Sequence, residues 1–140
     1  MNNYVDIVPN ARALLCELAV FPKLVVGRYP AYQDLVYQGQ IARGLFVLTQ
    51  GILSLRSHAR AIGYPTSLEA GSSQGIILPA ILQLDRSLPF TVATQCDCEI
   101  AFISRTQLSR SPQLRQSLIL HTQDLHHSFE SHVFREDVKQ

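Results

Sequence analysis

GLFVLTQGILSL, at residues 44–55, and LVYQGQ, at residues 35–40, are the two stretches that decide the fold. Both are rich in β-branched, aromatic and leucine residues, and their glycines are expected to end short strands at tight reversals. In the longer stretch apolar residues occupy both parities, with Leu45, Val47, Leu53 and Leu55 on one and Phe46, Leu48 and Ile52 on the other. We therefore predict antiparallel hairpins in a rolled sheet that is covered on both faces.

Composition limits the classes of protein. The chain has 140 residues, which suits one domain, and a net charge of +1, which gives no global field to attract nucleic acid or an anionic membrane. The start lacks a secretion signal, and no stretch approaches the roughly 20 apolar residues of a spanning helix. We expect a cytoplasmic protein that binds neither membrane nor, by itself, nucleic acid, and whose three cysteines are reduced.

Helical spacing appears at both ends of the chain. Residues 1–22 are predicted to form an N-terminal helical segment, with Asn10 as the N-cap, and residues 23–104 to form the β-rich region. Residues 105–140 are assigned to a C-terminal helical region. Within it, the start signal Ser111-Pro112 and an apolar stripe predict one long amphipathic helix to about Phe134.

The order of these pieces resembles the cyclic-nucleotide-binding β-roll, the sensor domain of Crp/Fnr-type transcription regulators. The resembling pieces cover roughly residues 22 to 135 and are YPA at 29–31, LVYQG at 35–39, LFVL at 45–48, GILSL at 51–55, LEAGSSQG at 68–75, TVAT at 91–94 and CEIAFI at 98–103. The resemblance implies a mainly β fold with flanking helices: a double-stranded β-helix (jelly roll) followed by a long C-terminal dimerisation helix.

In the resembled regulators two subunits pair through that long helix. The resemblance therefore implies a homodimer whose interface holds Leu114, Leu118, His121, Leu125, Phe129 and His132. The alternative is that the helix packs back on its own roll. No helix-turn-helix follows within these residues, so we expect either a stand-alone sensor or a piece of a longer regulator.

The phosphate cassette departs from the family pattern. Cyclic-nucleotide binders place a glutamate just after the cassette glycine, to bind the ribose hydroxyl, and an arginine about ten residues after that glycine, to neutralise the phosphate. Here Ile76 follows Gly75. The segment from Gly75 to Thr91 is a few residues longer than in the family pattern, and when it is aligned on Thr91, Leu88 stands in the arginine's place and the nearest guanidinium belongs to Arg86. A buried phosphodiester would be poorly compensated. We expect another effector, mainly apolar or carrying one carboxylate, contacted by Gly75, Ile76, Ile77, Arg86, Ser87 and Thr91.

Other classes of function stay open or are disfavoured. A ligand-free dimerisation or docking module with the same fold is the main alternative; its apolar run after Gly75 would be core and Arg86 would pair with Asp85 at the surface. An enzyme on a similar barrel, such as a cupin, would need a cluster of histidine and carboxylate ligands, whereas residues 23–103 contain only His58. We therefore expect no enzyme, no metal, no haem and no other cofactor.

Overall fold

The computed structural model of the protein describes residues 5–20, 24–57, 66–71, 74–79 and 84–122. Within these ranges the chain is mainly β with flanking helices, as predicted. The elements in chain order are β1 (Asp6–Pro9), α1 (Ala11–Leu18), β2 (Val25–Tyr29), β3 (Asp34–Val36), β4 (Gly44–Arg56), β5 (Thr66–Ala70), β6 (Gln74–Leu78), β7 (Thr91–Thr94), β8 (Cys98–Ser104), α2 (Arg105–Arg110) and α3 (Pro112–Thr122).

One strand, β4, belongs to two sheets. Its first part pairs with β6 and β8, which in turn pair with β1 and β2, so the first sheet has the order β2-β8-β4-β6-β1. Its second part pairs with β5 and β7, and β7 pairs with β3, so the second sheet has the order β5-β4-β7-β3. All of these pairs are antiparallel, and the shared strand closes the predicted jelly roll.

Gly51 bends β4 where it passes between the sheets. We predicted that glycine would end this strand, but the strand continues, and its pairing register with β8 shifts between Leu48 and Gln50. Gly51 has a φ of 121°, and a Cβ there would lie 2.5 Å from Cys98 Sγ. Only glycine suits this position, because a side chain would be strained and would collide with β8.

The bulge also reverses the faces of β4. Before it, Leu45 and Val47 belong to a cluster beneath the helices and Leu48 belongs to a cluster inside the roll; after it, Leu53 and Leu55 lie inside the roll. A single alternation therefore does not run through residues 44–55. One extra residue shifts the period of 2 by one step, so the inward positions change from even to odd numbers.

The first sheet separates two apolar cores. The roll cluster fills the space between the two sheets and includes Leu48, Leu53, Leu68, Ile76, Leu78, Leu88, Val92 and Ile100. The helix-layer cluster lies between the first sheet and the three helices and includes Val8, Leu14, Leu18, Leu45, Val47, Ile77, Ile103, Leu108, Leu114 and Leu118. The first sheet is thus covered on both faces.

The helical regions differ from the expectation at three points. Residues 6–9 form strand β1 rather than helix because they pair with β6, and Asn10 adopts a left-handed conformation without a side-chain capping bond. A helix begins before Ser111: α2 starts at a capping box in which Ser104 and Gln107 bond each other's backbone N–H. Helix α3 then starts at Pro112, as predicted, and its continuation beyond Thr122 lies outside the described residues.

Some of the residues predicted for the dimer interface pack within the chain. Leu114 and Leu118 are 2% and 0% exposed in the helix-layer cluster, and His121 Nε2 is 3.0 Å from Glu17 Oε2 on α1. Helix α3 packs back on β1 and α1 and buries Leu114 and Leu118, whereas His121 stays partly exposed; the dimer interface remains a prediction. Leu125, Phe129 and His132 lie outside the described residues.

Candidate ligand-binding site

A cavity of about 660 Å³ opens where β4 bends away from the first sheet. The end of β5, the segment before β8 and helix α1 form its other walls. It is lined by Ala11, Arg12, Leu15, Thr49, Gln50, Gly51, Ile52, Glu69, Ala70, Gly71, Cys96, Asp97 and Glu99. Its volume lies within the range of small-molecule sites, about 300–1,000 Å³.

The cavity wall combines apolar side chains with an excess of carboxylates. Arg12 faces Glu69, Asp97 and Glu99, so the formal charge of the lining is negative. Two carboxylates are held in place: the Thr49 hydroxyl donates to Glu99, 3.1 Å from both its carbonyl oxygen and Oε1, and Asp97 Oδ1 accepts from the Ala31 N–H at 3.2 Å. The lining suits a ligand with an apolar body and a donor or cationic group.

One thiol lines this cavity and a second lies behind its wall. Cys96 is partly exposed and lines it, whereas Cys98 is buried beneath Gly51. Burial raises the pKa of the Cys98 thiol above its ordinary value of 9.0. Cys98 therefore remains a neutral thiol at physiological pH.

The first three predicted contact residues do not share a surface. Ile76 is 2% exposed in the roll cluster, whereas Ile77 is fully buried in the helix-layer cluster, because successive strand residues point to opposite faces. A Cβ at Gly75 would lie 2.9 Å from Ala11 Cβ, so Gly75 packs under α1. Gly75 and Ile77 therefore do not line the roll interior, and the predicted contact set is divided between two faces of β6.

The other predicted contacts lie after the cassette. Arg86 and Ser87 are exposed, and Ser87 forms an isolated bridge with Ile41. Thr91 is buried, and its hydroxyl accepts from the Gln38 N–H at 3.0 Å. Asp85 Oδ1 lies 2.6 Å from Arg105 Nη2 in an exposed ion pair.

A second depression, of about 490 Å³, lies on the outer face of the second sheet. Its charged residues, Arg56 and Asp34, form an ion pair at 3.1 Å, and Ser54 and Thr94 contribute hydroxyl groups. Since its two charges compensate each other, it offers less for a charged ligand than the first cavity.

The described residues contain neither a membrane-spanning helix nor a cluster of metal-ligating side chains. Across residues 5–20, 24–57, 66–71, 74–79 and 84–122, no helix is long and apolar enough to cross a membrane. Within those ranges, no three or more His, Cys, Asp or Glu side chains are grouped so that they could hold a metal ion.

Comparison with solved structures identifies the fold. No protein-family model matches the sequence, and no curated protein matches it. Solved structures do match: the catabolite activator protein of Thermus thermophilus (TM-score 0.58, 16% identity), a transcriptional regulator of Thermotoga maritima (0.54, 14%) and the regulatory domain of Toxoplasma gondii PKA with cAMP (0.50, 16%). The chain has the fold of the cyclic-nucleotide-binding domains.

The extent of each match differs. The match covers 91% of this chain and 58% of the Thermus thermophilus protein, 86% and 95% for the Thermotoga maritima regulator, and 69% and 37% for the Toxoplasma gondii domain. The chain thus spans 37% to 58% of the length of two of these proteins. At 14% to 16% identity the likeness confirms the predicted fold.

Two cassette positions of the cyclic-nucleotide-binding fold are apolar and buried here. Ile76 and Leu88, which stand where the resembled binders carry glutamate and arginine, are each 2% exposed and both belong to the roll cluster. Every arginine that the structure describes is exposed. Within the described residues, the roll interior therefore offers no buried guanidinium to an anion.

Sequence reasoning missed the first cavity because its walls come from separate segments. Residues 11–15, 49–52, 69–71 and 96–99 meet only after β4 has bent and α1 has packed on the first sheet. One local signal existed: a glycine within an otherwise continuous strand often marks a bulge, and bulges occur frequently beside functional sites.

Proposed function

We propose that the chain is a small-molecule-sensing domain of a Crp/Fnr-type transcriptional regulator, that it is not an enzyme, and that it does not bind cyclic AMP or cyclic GMP in the usual way. The fold supports a sensing role. The burial of Ile76 and Leu88 in the roll cluster, at the positions of the family's glutamate and arginine, supports an effector other than a cyclic nucleotide. A phosphodiester beside these residues would meet hydrocarbon instead of a carboxylate and a guanidinium. An anion without partners in such a place is strongly disfavoured.

We infer that the effector-binding site is the cavity beside the β4 bend. Three features support this choice: its volume, its apolar residues Leu15 and Ile52, and the fixed carboxylate of Glu99. The lining favours a small molecule with an apolar body and an amino or other donor group. The second choice is an acid bound at Arg86 and Ser87, as the sequence predicted.

A thermal-shift titration separates these choices. Purified protein is screened against aromatic amines, aromatic acids, 2-oxoglutarate, haem, cyclic AMP and cyclic GMP. A ligand at a hundred times its Kd stabilises the folded state by about 2.7 kcal/mol, which raises Tm by several degrees. We expect an amine with an apolar body to give the shift.

Variants then locate the bound molecule. Leu15→Trp fills the cavity and Glu69→Gln removes one carboxylate, so each should abolish or weaken the shift, whereas Leu15→Met should keep it. Arg86→Gln, with Arg28→Gln as an exposed control, should have no effect on cavity binding. A shift by an acid that is lost only in Arg86→Gln would move the site to the cassette, and a cyclic-nucleotide shift would overturn the proposal.

A ligand-free dimerisation or docking module is the second candidate. Two observations favour it: the described roll interior is filled by buried side chains such as Leu53 and Ile76, and strand β2 exposes Val25 and Val26 (58% and 50%). In the described structure β2 pairs on one side only, with β8, and a free strand edge is a template for pairing with another chain. This candidate predicts no thermal shift with any compound.

We also propose that the protein forms a homodimer through the helical region after α3. Sedimentation velocity of wild type, Leu125→Asp with Phe129→Asp, and Val26→Lys tests it. Loss of the dimer in the helix variant alone supports the helical interface, whereas loss in Val26→Lys alone assigns the contact to the edge of β2. A monomer at every concentration would refute both.

A further inference from the structure

Cys96 and Cys98 differ in access although they lie two residues apart. Cys98, at the start of β8, is 3% exposed, and its Sγ donates to the Cys96 carbonyl oxygen at 3.2 Å and lies 3.5 Å from the Ile52 carbonyl oxygen. Cys96 is partly exposed, lines the 660 Å³ cavity and is a free thiol, as is Cys98. An oxidant that enters the cavity thus meets one sulfur and not the other.

The two cysteines lie close together. Cys98 Sγ donates to the carbonyl oxygen of Cys96 itself, at 3.2 Å. A disulfide requires a Cα separation below about 7 Å. Residues two apart span at most about 7 Å even when fully extended, so the chain itself holds the Cα atoms of Cys96 and Cys98 within about this limit.

We propose that Cys96 and Cys98 form a reversible intramolecular disulfide in response to hydroperoxides, with Cys96 as the attacking thiol and Cys98 as the resolving thiol. The Cys96 thiolate attacks the terminal peroxide oxygen and the O–O bond breaks. Cys96 becomes a sulfenic acid, and the alkoxide leaves as an alcohol after taking up a proton. The Cys98 sulfur then attacks the Cys96 sulfur and loses its proton, and the hydroxyl group leaves as water.

Closure of this disulfide changes the floor of the cavity. Cys98 Sγ must turn from the Ile52 carbonyl oxygen toward Cys96, and it lies directly against the backbone of Gly51, where a Cβ would be only 2.5 Å away. The bond would therefore alter the bend at which β4 passes between the sheets. Redox state and cavity shape become coupled, whether or not the cavity binds an effector.

The experiment uses the whole folded chain and peptide mapping. Protein is treated with hydrogen peroxide, unfolded, alkylated with iodoacetamide and digested with trypsin. Cleavage after Arg86 and Arg105 gives peptide 87–105, which contains both thiols, while Cys16 falls in peptide 13–23 and serves as the internal control. We expect both thiols of peptide 87–105 to escape alkylation together, and dithiothreitol to restore both.

Single variants test the two roles. In Cys98→Ser the sulfenic acid at Cys96 should persist and be trapped by dimedone. In Cys96→Ser the buried Cys98 should stay reduced, and Cys16→Ser should leave the pair unchanged. The proposal is overturned if Cys98 stays alkylatable in oxidised wild type, if Cys96 passes directly to sulfinic acid, or if either sulfur is found joined to Cys16.

Discussion

The two halves of β4 are similarly apolar in sequence but lie in different surroundings. Residues 44–48 are buried beneath the helices on one face and in the roll on the other. In residues 52–56, Leu53 and Leu55 face the roll, while Ile52, Ser54 and Arg56 line the two cavities. The difference comes from the helix layer, which covers the first sheet, and not from the composition of the strand.

The largest expected effect on the free energy of unfolding comes from substituting Gly51, which forms the bend between the two halves of β4. Gly51→Ala adds backbone strain and overpacking against Cys98, which together should lower the free energy of unfolding by about 2–6 kcal/mol. The matched control is Gly71→Ala, since nothing lies within 4 Å of its Cβ. Urea denaturation gives both values, and equal losses in the two variants would show that the bend is not required.

The next test removes part of the helix layer. Leu118→Ala truncates a fully buried side chain and should cost about 2–5 kcal/mol, because a cavity remains in the helix-layer cluster. Leu120→Ala changes a leucine of the same helix that is 59% exposed and should cost no more than about 0.5 kcal/mol. If the two losses are alike, α3 does not pack on the first sheet in solution.

A smaller difference in stability is expected between substitutions on the outer faces of the two halves of β4. Val47→Thr places a hydroxyl in the helix-layer cluster and should cost about 1–3 kcal/mol, because the new group lacks water there. Ser54→Val, on the face that lines the second cavity, removes a hydroxyl instead of burying a new one and should change stability less than Val47→Thr. Comparable losses at both sites would remove the contrast between the halves.

The smallest expected effect is a pH dependence of stability that comes from Cys98, which packs against the bend at Gly51. Burial raises the pKa of Cys98 in the folded state above 9.0, so the unfolded chain loses this proton at a lower pH than the folded chain. Its contribution to stability is complete below pH 9.0 and is lost as pH rises through the folded pKa. Urea midpoints should fall more steeply above pH 9.0 for wild type than for Cys98→Ala, whereas Cys16→Ala should follow wild type.

The fold was predictable from sequence because its signals are local. Strands β7 and β8 lie in the segments 91–94 and 98–103 that carry the family resemblance, α3 begins at the start signal Ser111-Pro112, and all three form where predicted. Strand β1 was missed, since its four residues become a strand only by pairing with β6. The capping box at Ser104 and Gln107 was present in the sequence and was overlooked.

The candidate site was far less predictable. The apolar character of Ile76 was readable, but its separation from Ile77 into a different core depends on which face of β6 meets the helices. The cavity and the burial of Leu118 both depend on residues distant in the chain.

Sequence alone therefore determined the strand-rich centre of the chain and the loss of the cassette charges, because these depend on residue type and short-range pattern, and the resemblance to a known family indicated the jelly-roll class. Tertiary structure decided the bend at Gly51, the face that each half of β4 presents and the position of the cavity. These depend on long-range pairing and on steric contact across β4 and β8, which no window of consecutive residues contains.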